Sequence, residues 1–137
     1  MPITAPENRL YVVVGIIENA DGDILVQQRL PGKPCAGQWE FPGGKLESHE
    51  TPEQALSREL QEELGIRVNA MHPFIQIGYD YAHANVWLDI YQITNYQGDV
   101  LSREGQALQW LSIEQIRELD LLDAVPPILD ALQTPSH

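Results

Sequence analysis

The chain has 137 residues, a formal net charge of −12, a hydrophobic share of 43% and a charged share of 20%. These values are typical of one globular domain with a substantial core, so we expect residues 1–137 to form a single domain. The negative charge disfavours polymeric nucleic acid as a partner, because the phosphate backbone requires basic surfaces. A small phosphorylated substrate stays open, since bound cations can bridge an anionic protein and an anionic ligand.

Features of the chain that report on its compartment point to the cytoplasm. Cys35 is the single cysteine, so no intramolecular disulfide can form, which fits a reducing environment. The first ten residues, MPITAPENRL, lack a basic region followed by an apolar run, so we expect no signal peptide. No apolar segment approaches membrane-spanning length. We therefore expect a cytoplasmic monomer or homodimer that does not contact membranes.

The first third of the chain predicts two strands bounded by turns. Residues 1–8 hold two prolines and polar residues, which predicts a loose arm. The β-branched run Leu10–Ile17 predicts a buried strand. An Asp-Gly turn within Asn19–Asp23 predicts a hairpin whose return strand is Ile24–Arg29. The segment Leu30–Gln38 is rich in glycine and proline and predicts a loop.

The following stretch predicts a capped helix that carries clustered carboxylates. Thr51 and Pro52 are the residue types of a helix start, and Gly65 is the type that ends one. At about 100° per residue, three glutamates share one face beside a stripe of three leucines: Glu59, Glu62 and Glu63 beside Leu56, Leu60 and Leu64. Such a cluster is either solvated surface or a cation site. Oxygen ligands alone favour magnesium or manganese over zinc.

The second half predicts more strands than helices. We expect an extended segment over Val68–Tyr81 and a short strand over Ala107–Leu111. We also expect a strand over Asn85–Thr94, whose alternate residues lie on opposite faces of a sheet. Ser112 has the residue type that caps a helix, and Pro126–Leu132 predicts a final helix. Because strands and helices do not alternate regularly, we expect an α/β (α+β) fold, with a mixed β-sheet sandwiched between α-helices.

Nine positions spread over 23 residues resemble the Nudix box, and the motif is highly specific. The box is a glycine, five residues, a glutamate, seven residues, then Arg-Glu-aliphatic-x-Glu-Glu-x-Gly-aliphatic. The matching residues are Gly44, Glu50, Arg58, Glu59, Leu60, Glu62, Glu63, Gly65 and Ile66. The segments VGIIENADGDILVQQR, WEFPGGK and REGQALQWLS also resemble MutT-type members of this family. The resemblance therefore extends over roughly residues 10–132.

This resemblance implies a Nudix fold, with the box as loop–helix–loop, and an enzyme that hydrolyses acid anhydrides. The MutT branch cleaves nucleoside triphosphates, including 8-oxo-dGTP, to a monophosphate and pyrophosphate by water attack on the β-phosphorus. Such an enzyme would serve nucleotide-pool sanitation and DNA repair. The alternatives are hydrolysis of another nucleoside diphosphate derivative, such as a dinucleoside polyphosphate or nucleotide sugar, and a non-catalytic nucleotide-sensing domain.

The resemblance also implies roles for particular residues around Mg²⁺, for which Mn²⁺ can substitute. The implied metal ligands are the carbonyl of Gly43 and the side chains of Glu59, Glu62, Glu63 and Glu104. Glu59 is the preferred general base and Glu104 the other candidate. Arg58 is expected to orient the carboxylates as part of the catalytic machinery, and three residues are expected to shape the box: Gly44, Glu50 and Gly65.

Substrate recognition is expected from residues outside the box. Arg29 aligns with a family arginine that contacts phosphate or nucleotide, and Tyr81 is expected to border the substrate. Phe41 is expected either to line the base cleft or to fill the core. Asp123 is close enough to the final helix to hydrogen-bond a purine edge. Val125 aligns with the asparagine by which MutT-type proteins select 8-oxoguanine, and loss of that amide predicts weaker selection.

Overall fold

The computed structural model describes residues 8–134 and confirms the α+β class. The arm predicted for residues 1–8 lies almost wholly outside the described residues. In chain order the elements are β1 Leu10–Ile17, β2 Ile24–Gln28, β3 Trp39–Glu40, β4 Gly43–Lys45, α1 Pro52–Leu64, β5 Arg67–Asp80, β6 Asn85–Gln97, β7 Leu108–Leu111, α2 Ile113–Arg117 and α3 Val125–Gln133. None of the helices within residues 8–134 has the length and apolar composition needed to cross a bilayer.

The strands divide into two sheets. The larger is a mixed sheet in the order β4-β1-β6-β5, in which β1 and β6 are parallel. The smaller is antiparallel in the order β3-β2-β7. The predicted hairpin of β1 and β2 is therefore wrong. Both edges of β1 are already occupied, by β4 and β6, so β2 enters the other sheet and only an isolated bridge joins Glu18 to Ile24.

The larger sheet is covered on both faces, and β6 shows why. Its residues alternate between two apolar clusters, as the sequence predicts. Ile90 packs in a cluster with Ile128 and Leu129 of α3. Tyr91 and Ile93 pack in a second cluster, which contains the buried leucines of α1. The mixed sheet is thus sandwiched between helices, as expected.

Helix α1 has both predicted caps. The Thr51 hydroxyl accepts a hydrogen bond from the backbone of Gln54, whose side chain accepts one from the backbone of Thr51. Gly65 ends the helix in the left-handed conformation, at φ 73°. The helix lies close to β1, since a Cβ added at Gly15 would come within 3.3 Å of Leu60. Its polar edge is thereby held next to β4.

The glycine that begins the box, Gly44, and its neighbour Gly43 lie in strand β4 instead of the expected loop. Gly43 pairs with Val14 and Gly44 pairs with Val13, antiparallel to β1. A side chain at Gly43 would collide with the carbonyl of Val13. The absence of a side chain therefore permits this close pairing, which brings the Gly43 and Gly44 backbone to the edge of the sheet beside α1.

Candidate functional site

A cleft of about 740 Å³ opens between the two sheets, bounded by α1 and the start of α3. That volume is in the range of small-molecule sites. Most of the residues predicted for the site line it: Arg29, Phe41, Gly43, Gly44, Glu59, Glu63, Tyr81 and Glu104. The predicted residues outside its lining are Glu50, Arg58, Glu62, Gly65 and Asp123.

Glu63 has the most unusual environment of the box glutamates. It is 5% exposed, and its Oε1 accepts a hydrogen bond from Gln27 Nε2 at 3.0 Å. Its Oε2 is buried without a hydrogen-bond partner. Burial, followed by the charges of Glu59, Glu104 and Glu40, raises the pKa of Glu63 to about 9, although the Gln27 hydrogen bond lowers it. An unpaired buried carboxylate oxygen beside a cleft has the chemistry of a cation ligand.

Glu59 is held against the backbone of β4 by an arginine clamp. Its Oε1 accepts from Arg58 Nη1 at 2.9 Å, and its carboxylate occupies the space that a Cβ of Gly44 would fill. Burial raises the pKa of Glu59, against the opposing effect of Arg58. Arg58 also donates to Glu50 through Nε at 2.7 Å and Nη2 at 2.9 Å, which ties α1 to the loop before it.

The three box glutamates do not share one environment, although helical periodicity predicts a common face. The Glu62 side chain is 56% exposed, lies 3.4 Å from Arg58 Nη1 and is not among the residues that line the cleft. Glu104 lines the cleft, and its backbone N–H donates to Gln106 Oε1 at 3.0 Å. Across residues 8–134, no three His, Cys, Asp or Glu side chains converge tightly enough to form a ready-made ligand set. The metal-binding roles therefore stay predictions.

The donors around Glu63 nevertheless fit a hard divalent cation. The Glu63 Oε2 atom has no protein partner, and the carboxylates of Glu59 and Glu104 are near enough to raise the pKa of Glu63. Gly43 contributes backbone at the same edge of the cleft. A set made of carboxylate and carbonyl oxygens suits magnesium. Bound cation would also relieve the mutual repulsion of these carboxylates.

Gln27, Glu40 and Gln106 are among the polar residues of the cleft that were not predicted as site residues. Glu40 accepts from Arg29 Nη1 at 3.1 Å and from Gln27 Nε2 at 3.4 Å. Burial raises the pKa of Glu40, while Arg29 opposes that shift. The available signal was the presence of polar side chains inside short apolar strands, at Gln27 in ILVQQ and Glu40 in WEF.

Arg29 lies in the cleft but is already engaged by protein groups. In addition to its bond to Glu40, its Nε donates to the carbonyl of Pro34 at 2.6 Å. Gln28 reinforces the same loop by donating to the carbonyl of Gly37 at 3.0 Å. The arginine thus fixes the loop over residues 30–38 at one edge of the cleft, with its side chain 21% exposed.

An aromatic wall lies at the other end of the cleft. The Tyr81 ring packs between Tyr79 and His83, with centroid distances of 4.6 and 5.3 Å. The Tyr81 hydroxyl accepts from the backbone N–H of Ala124 at 3.0 Å, which attaches the wall to the start of α3. Asp123 is exposed, and its carboxylate accepts from the Tyr79 hydroxyl at 3.1 Å.

Beside the aromatic wall, the cleft is lined by apolar residues that include Phe41 and Val125. Phe41 is 4% exposed and belongs to the same apolar cluster as Val125, which is 3% exposed. The Phe41 ring therefore fills the core and also bounds the cleft, and its contact with a base stays a prediction.

Comparison with known proteins supports the resemblance to the Nudix family. A model of the NUDIX domain matches residues 8–132. An 8-oxo-dGTP diphosphatase of Escherichia coli K12 is 34% identical over 125 residues, which cover 91% of this chain and 97% of that protein. A CTP pyrophosphohydrolase of the same strain is 38% identical over 122 residues, which cover 89% of this chain and 90% of that protein.

The fold of this chain is also similar to that of a solved MutT structure. A chain from work on MutT of Aliivibrio salmonicida and Vibrio cholerae aligns with a TM-score of 0.77 at 36% identity. The alignment covers 89% of this chain and 94% of that chain. The resemblance read from the sequence is confirmed, and this chain belongs to the Nudix family as a Nudix hydrolase.

Proposed function

We propose that this Nudix hydrolase converts nucleoside triphosphates to nucleoside monophosphates and pyrophosphate in a magnesium-dependent reaction. The observation that carries the proposal is the buried, unpaired Oε2 of Glu63, in a cleft that Glu59 and Glu104 also line. The names of the relatives, which include 8-oxo-dGTP diphosphatases and a CTP pyrophosphohydrolase, support nucleotides as the substrate class.

The proposed ligands for Mg²⁺ are the carbonyl of Gly43 and the carboxylates of Glu59, Glu63 and Glu104. Glu62 is added on its match to the box alone, since it does not line the cleft. When bound, Mg²⁺ neutralises charge on the phosphates and lowers the pKa of a coordinated water. These residues therefore form the anionic side of the reaction centre.

The protein's own part in the reaction is to orient groups and to move one proton. Glu59 is the proposed general base, taking a proton from the water that attacks the β-phosphorus. Arg58 holds one oxygen of that carboxylate at 2.9 Å and so fixes its direction. Lys33 and Lys45 line the cleft and supply positive charge for the phosphate chain. Glu104 is the alternative base.

The nucleoside is proposed to lie against Tyr81, Phe41 and Val125 at the apolar end of the cleft. Val125 offers no hydrogen bond to a base from its side chain, so this surface selects by shape and stacking more than by polar recognition. A pyrimidine triphosphate is the second candidate, because the CTP pyrophosphohydrolase is 38% identical to this chain. We propose that the enzyme acts in the cytoplasm and clears unwanted nucleotides from the pool.

A panel of substrates tests the proposal. Purified protein is incubated with dGTP, 8-oxo-dGTP, CTP, a dinucleoside tetraphosphate and a nucleotide sugar, with Mg²⁺ or with chelator. Products are separated by ion chromatography. We expect pyrophosphate and monophosphate from at least one triphosphate with Mg²⁺ and none with chelator. Failure to release pyrophosphate from every triphosphate would reject the proposal, and cleavage of the other two substrates alone would favour the alternative Nudix activity.

A further inference from the structure

We propose that Gln27 is a positioning residue for the cation, because its amide holds one oxygen of Glu63 and leaves the other to bind metal. Gln106 extends this hold to the segment that carries Glu104. The inference rests on the proposed function, since it assigns how the same cation site is built. It concerns residues outside the Nudix box, on strand β2 and in the loop before β7.

Both N–H groups of the Gln27 amide point to carboxylates. They donate to Glu63 Oε1 at 3.0 Å and to Glu40 Oε2 at 3.4 Å. Gln27 is 6% exposed, so these bonds form where the effective dielectric is lower than in water and each bond is correspondingly stronger. Because Glu63 Oε1 is occupied and Oε2 has no protein partner, the amide decides which oxygen of this carboxylate is presented to a ligand.

Gln106 joins this amide to the loop of Glu104. Its Nε2 donates to the Glu63 carbonyl at 3.2 Å and to Gln27 Oε1 at 3.4 Å. Its Oε1 accepts from the Glu104 backbone at 3.0 Å and from the Ser102 hydroxyl at 2.8 Å. One side chain, 5% exposed, thus bonds the backbone of both proposed ligands and fixes the separation of Glu63 and Glu104.

A second link strengthens the same arrangement. The backbone N–H of Arg103 donates to the Glu63 carbonyl at 3.1 Å, and that of Leu101 donates to the Leu64 carbonyl at 2.9 Å. These bonds attach the loop to the last turn of α1, where the carbonyls lack partners within the helix. The loop and the end of the helix therefore move together, and the two glutamines connect them to β2.

A buried glutamine between carboxylates has a specific value for a cation site. An apolar side chain of the same size would fill the space, but it would leave Glu63 with two unpaired oxygens and two usable directions. Hydrogen bonds that orient a metal-ligating carboxylate commonly change metal affinity by about 10–100-fold when they are removed. A merely structural role for Gln27 would alter the stability of the fold without altering the metal affinity of the folded protein.

The test measures metal binding directly. Mn²⁺ is titrated into the full-length wild-type protein and into Gln27→Met by isothermal calorimetry, after circular dichroism confirms that each is folded. Met keeps the side-chain length and removes both donors. We expect the dissociation constant for Mn²⁺ to rise about tenfold or more in Gln27→Met. The control is Gln38→Met, whose amide donates to exposed Asp120 at 3.1 Å outside the cleft, and we expect its dissociation constant to be unchanged.

Each other outcome has a defined meaning. A dissociation constant within twofold of wild type in Gln27→Met overturns the inference while the proposed function stands. An equal loss in Gln38→Met also overturns it, because the effect would not be specific to the site. If wild-type protein binds no Mn²⁺, the inference falls together with the proposed metal site. If Gln27→Met is unfolded, Gln106→Met decides in the same titration, and unchanged affinity there overturns the inference.

Discussion

Arg58 grips Glu50 through two nitrogens, Nε at 2.7 Å and Nη2 at 2.9 Å, in the paired geometry that guanidinium and carboxylate groups favour. The Glu50 side chain is only 9% exposed, so the pair lies at the junction of the loop and helix α1. The same guanidinium reaches Glu59 through Nη1. One arginine therefore joins the first glutamate of the box to a glutamate of the proposed reaction centre.

The first prediction concerns the hydrogen bonds from Arg58 to Glu50 and Glu59. Arg58→Lys keeps the positive charge but cannot bond Glu50 and Glu59 at once, because an ammonium lacks the planar fork. We expect kcat to fall at least about tenfold, in line with other changes to residues that orient metal ligands. Steady-state kinetics with saturating Mg²⁺ measure it. The matched control is Arg117→Lys, at a surface pair with Asp130, which should leave kcat unchanged. Equal kcat in wild type and Arg58→Lys would contradict the prediction.

The Arg58 pair also gives a pH dependence with a defined sign. The hydrogen bond from Arg58 lowers the pKa of Glu50 in the folded protein. A carboxyl with a lowered pKa stabilises the fold above its ordinary pKa, and that contribution is lost as the pH falls through the folded value. We expect Glu50→Gln to lower the Tm at pH 7 and to lose this deficit as the pH falls below about 4. Calorimetric scans at both pH values check it, and a deficit that grows in acid would contradict the assignment.

The neighbouring glycines predict two different failures. A Cβ at Gly44 would meet the Glu59 carboxylate, which is the movable end of a side chain, whereas a Cβ at Gly43 would meet the backbone of Val13. We expect Gly44→Ala to fold near the wild-type Tm but lose most of its activity, since Glu59 is displaced. We expect Gly43→Ala to lose stability because β4 cannot pair with β1. Thermal melts and kinetics on both variants measure this, and a fully active Gly44→Ala would refute the placement of Glu59.

Much of the fold follows from local pattern, and the errors have a common cause. Strand β1 and the caps of α1 were predicted correctly because the β-branched run, Thr51 and Gly65 act within a few residues of themselves. The predicted hairpin failed because β1 has partners on both edges, which no nearby residue reveals. The local sequence pattern determines whether a segment forms a strand or a helix. Contacts with distant parts of the chain determine which sheet a strand joins.

The site shows the same division. Helical spacing predicts one face for Glu59, Glu62 and Glu63, but it does not tell that Glu63 is buried in the cleft while Glu62 is exposed. The buried carboxylate of Glu63 is bonded to Gln27, 36 residues earlier, and the link from Gln27 to Gln106 spans 79 residues. Contacts at such separations leave no mark in a short motif. The box therefore identifies the chemistry, while the surroundings that tune it become visible only in three dimensions.

The contribution of Glu63 to the stability of the fold is expected to depend on pH in the opposite direction to that of Glu50. Burial first, and then the neighbouring carboxylates, raise its folded pKa to about 9. The ordinary value is roughly 4.3, so the stability associated with protonated Glu63 is complete below that pH and is lost as the pH rises toward 9. We expect the Tm of metal-free wild type to fall between pH 5 and pH 8, and that of Glu63→Gln to fall less. For a domain of this size, a change of about 1 kcal/mol in the free energy of unfolding shifts the Tm by roughly 3–5 °C.

Calorimetry in the presence of chelator measures this difference. Adding Mg²⁺ at pH 8 should raise the Tm of wild type and leave that of Glu63→Gln nearly unchanged, because ligand that binds only the folded state stabilises it. The surface variant Glu114→Gln is the control and should follow wild type throughout. A metal-free Glu63→Gln with the full wild-type slope would show that Glu63 is not the source of the pH dependence.

Base selectivity gives a separate prediction at Val125. Its apolar side chain lines the cleft where an amide is expected to recognise 8-oxoguanine. A site that hydrogen-bonds its substrate discriminates far better than an apolar one. We expect wild type to prefer 8-oxo-dGTP over dGTP by less than about 100-fold in kcat/KM, and Val125→Asn to increase the ratio. Competition assays measure both ratios, with Val125→Ile as the control. A ratio that Val125→Asn leaves unchanged would place base recognition elsewhere.

Mg²⁺-dependent release of pyrophosphate by wild type, Glu63→Gln and Glu114→Gln tests the central claim most directly. Both substitutions replace a carboxyl group with an amide, one at the buried cleft position and one at an exposed position on helix α2. We predict that Glu63→Gln loses at least about 100-fold in kcat/KM, or roughly 2.7 kcal/mol of transition-state stabilisation, while Glu114→Gln retains wild-type turnover. Undiminished pyrophosphate release by folded Glu63→Gln would contradict the proposed role of this carboxylate.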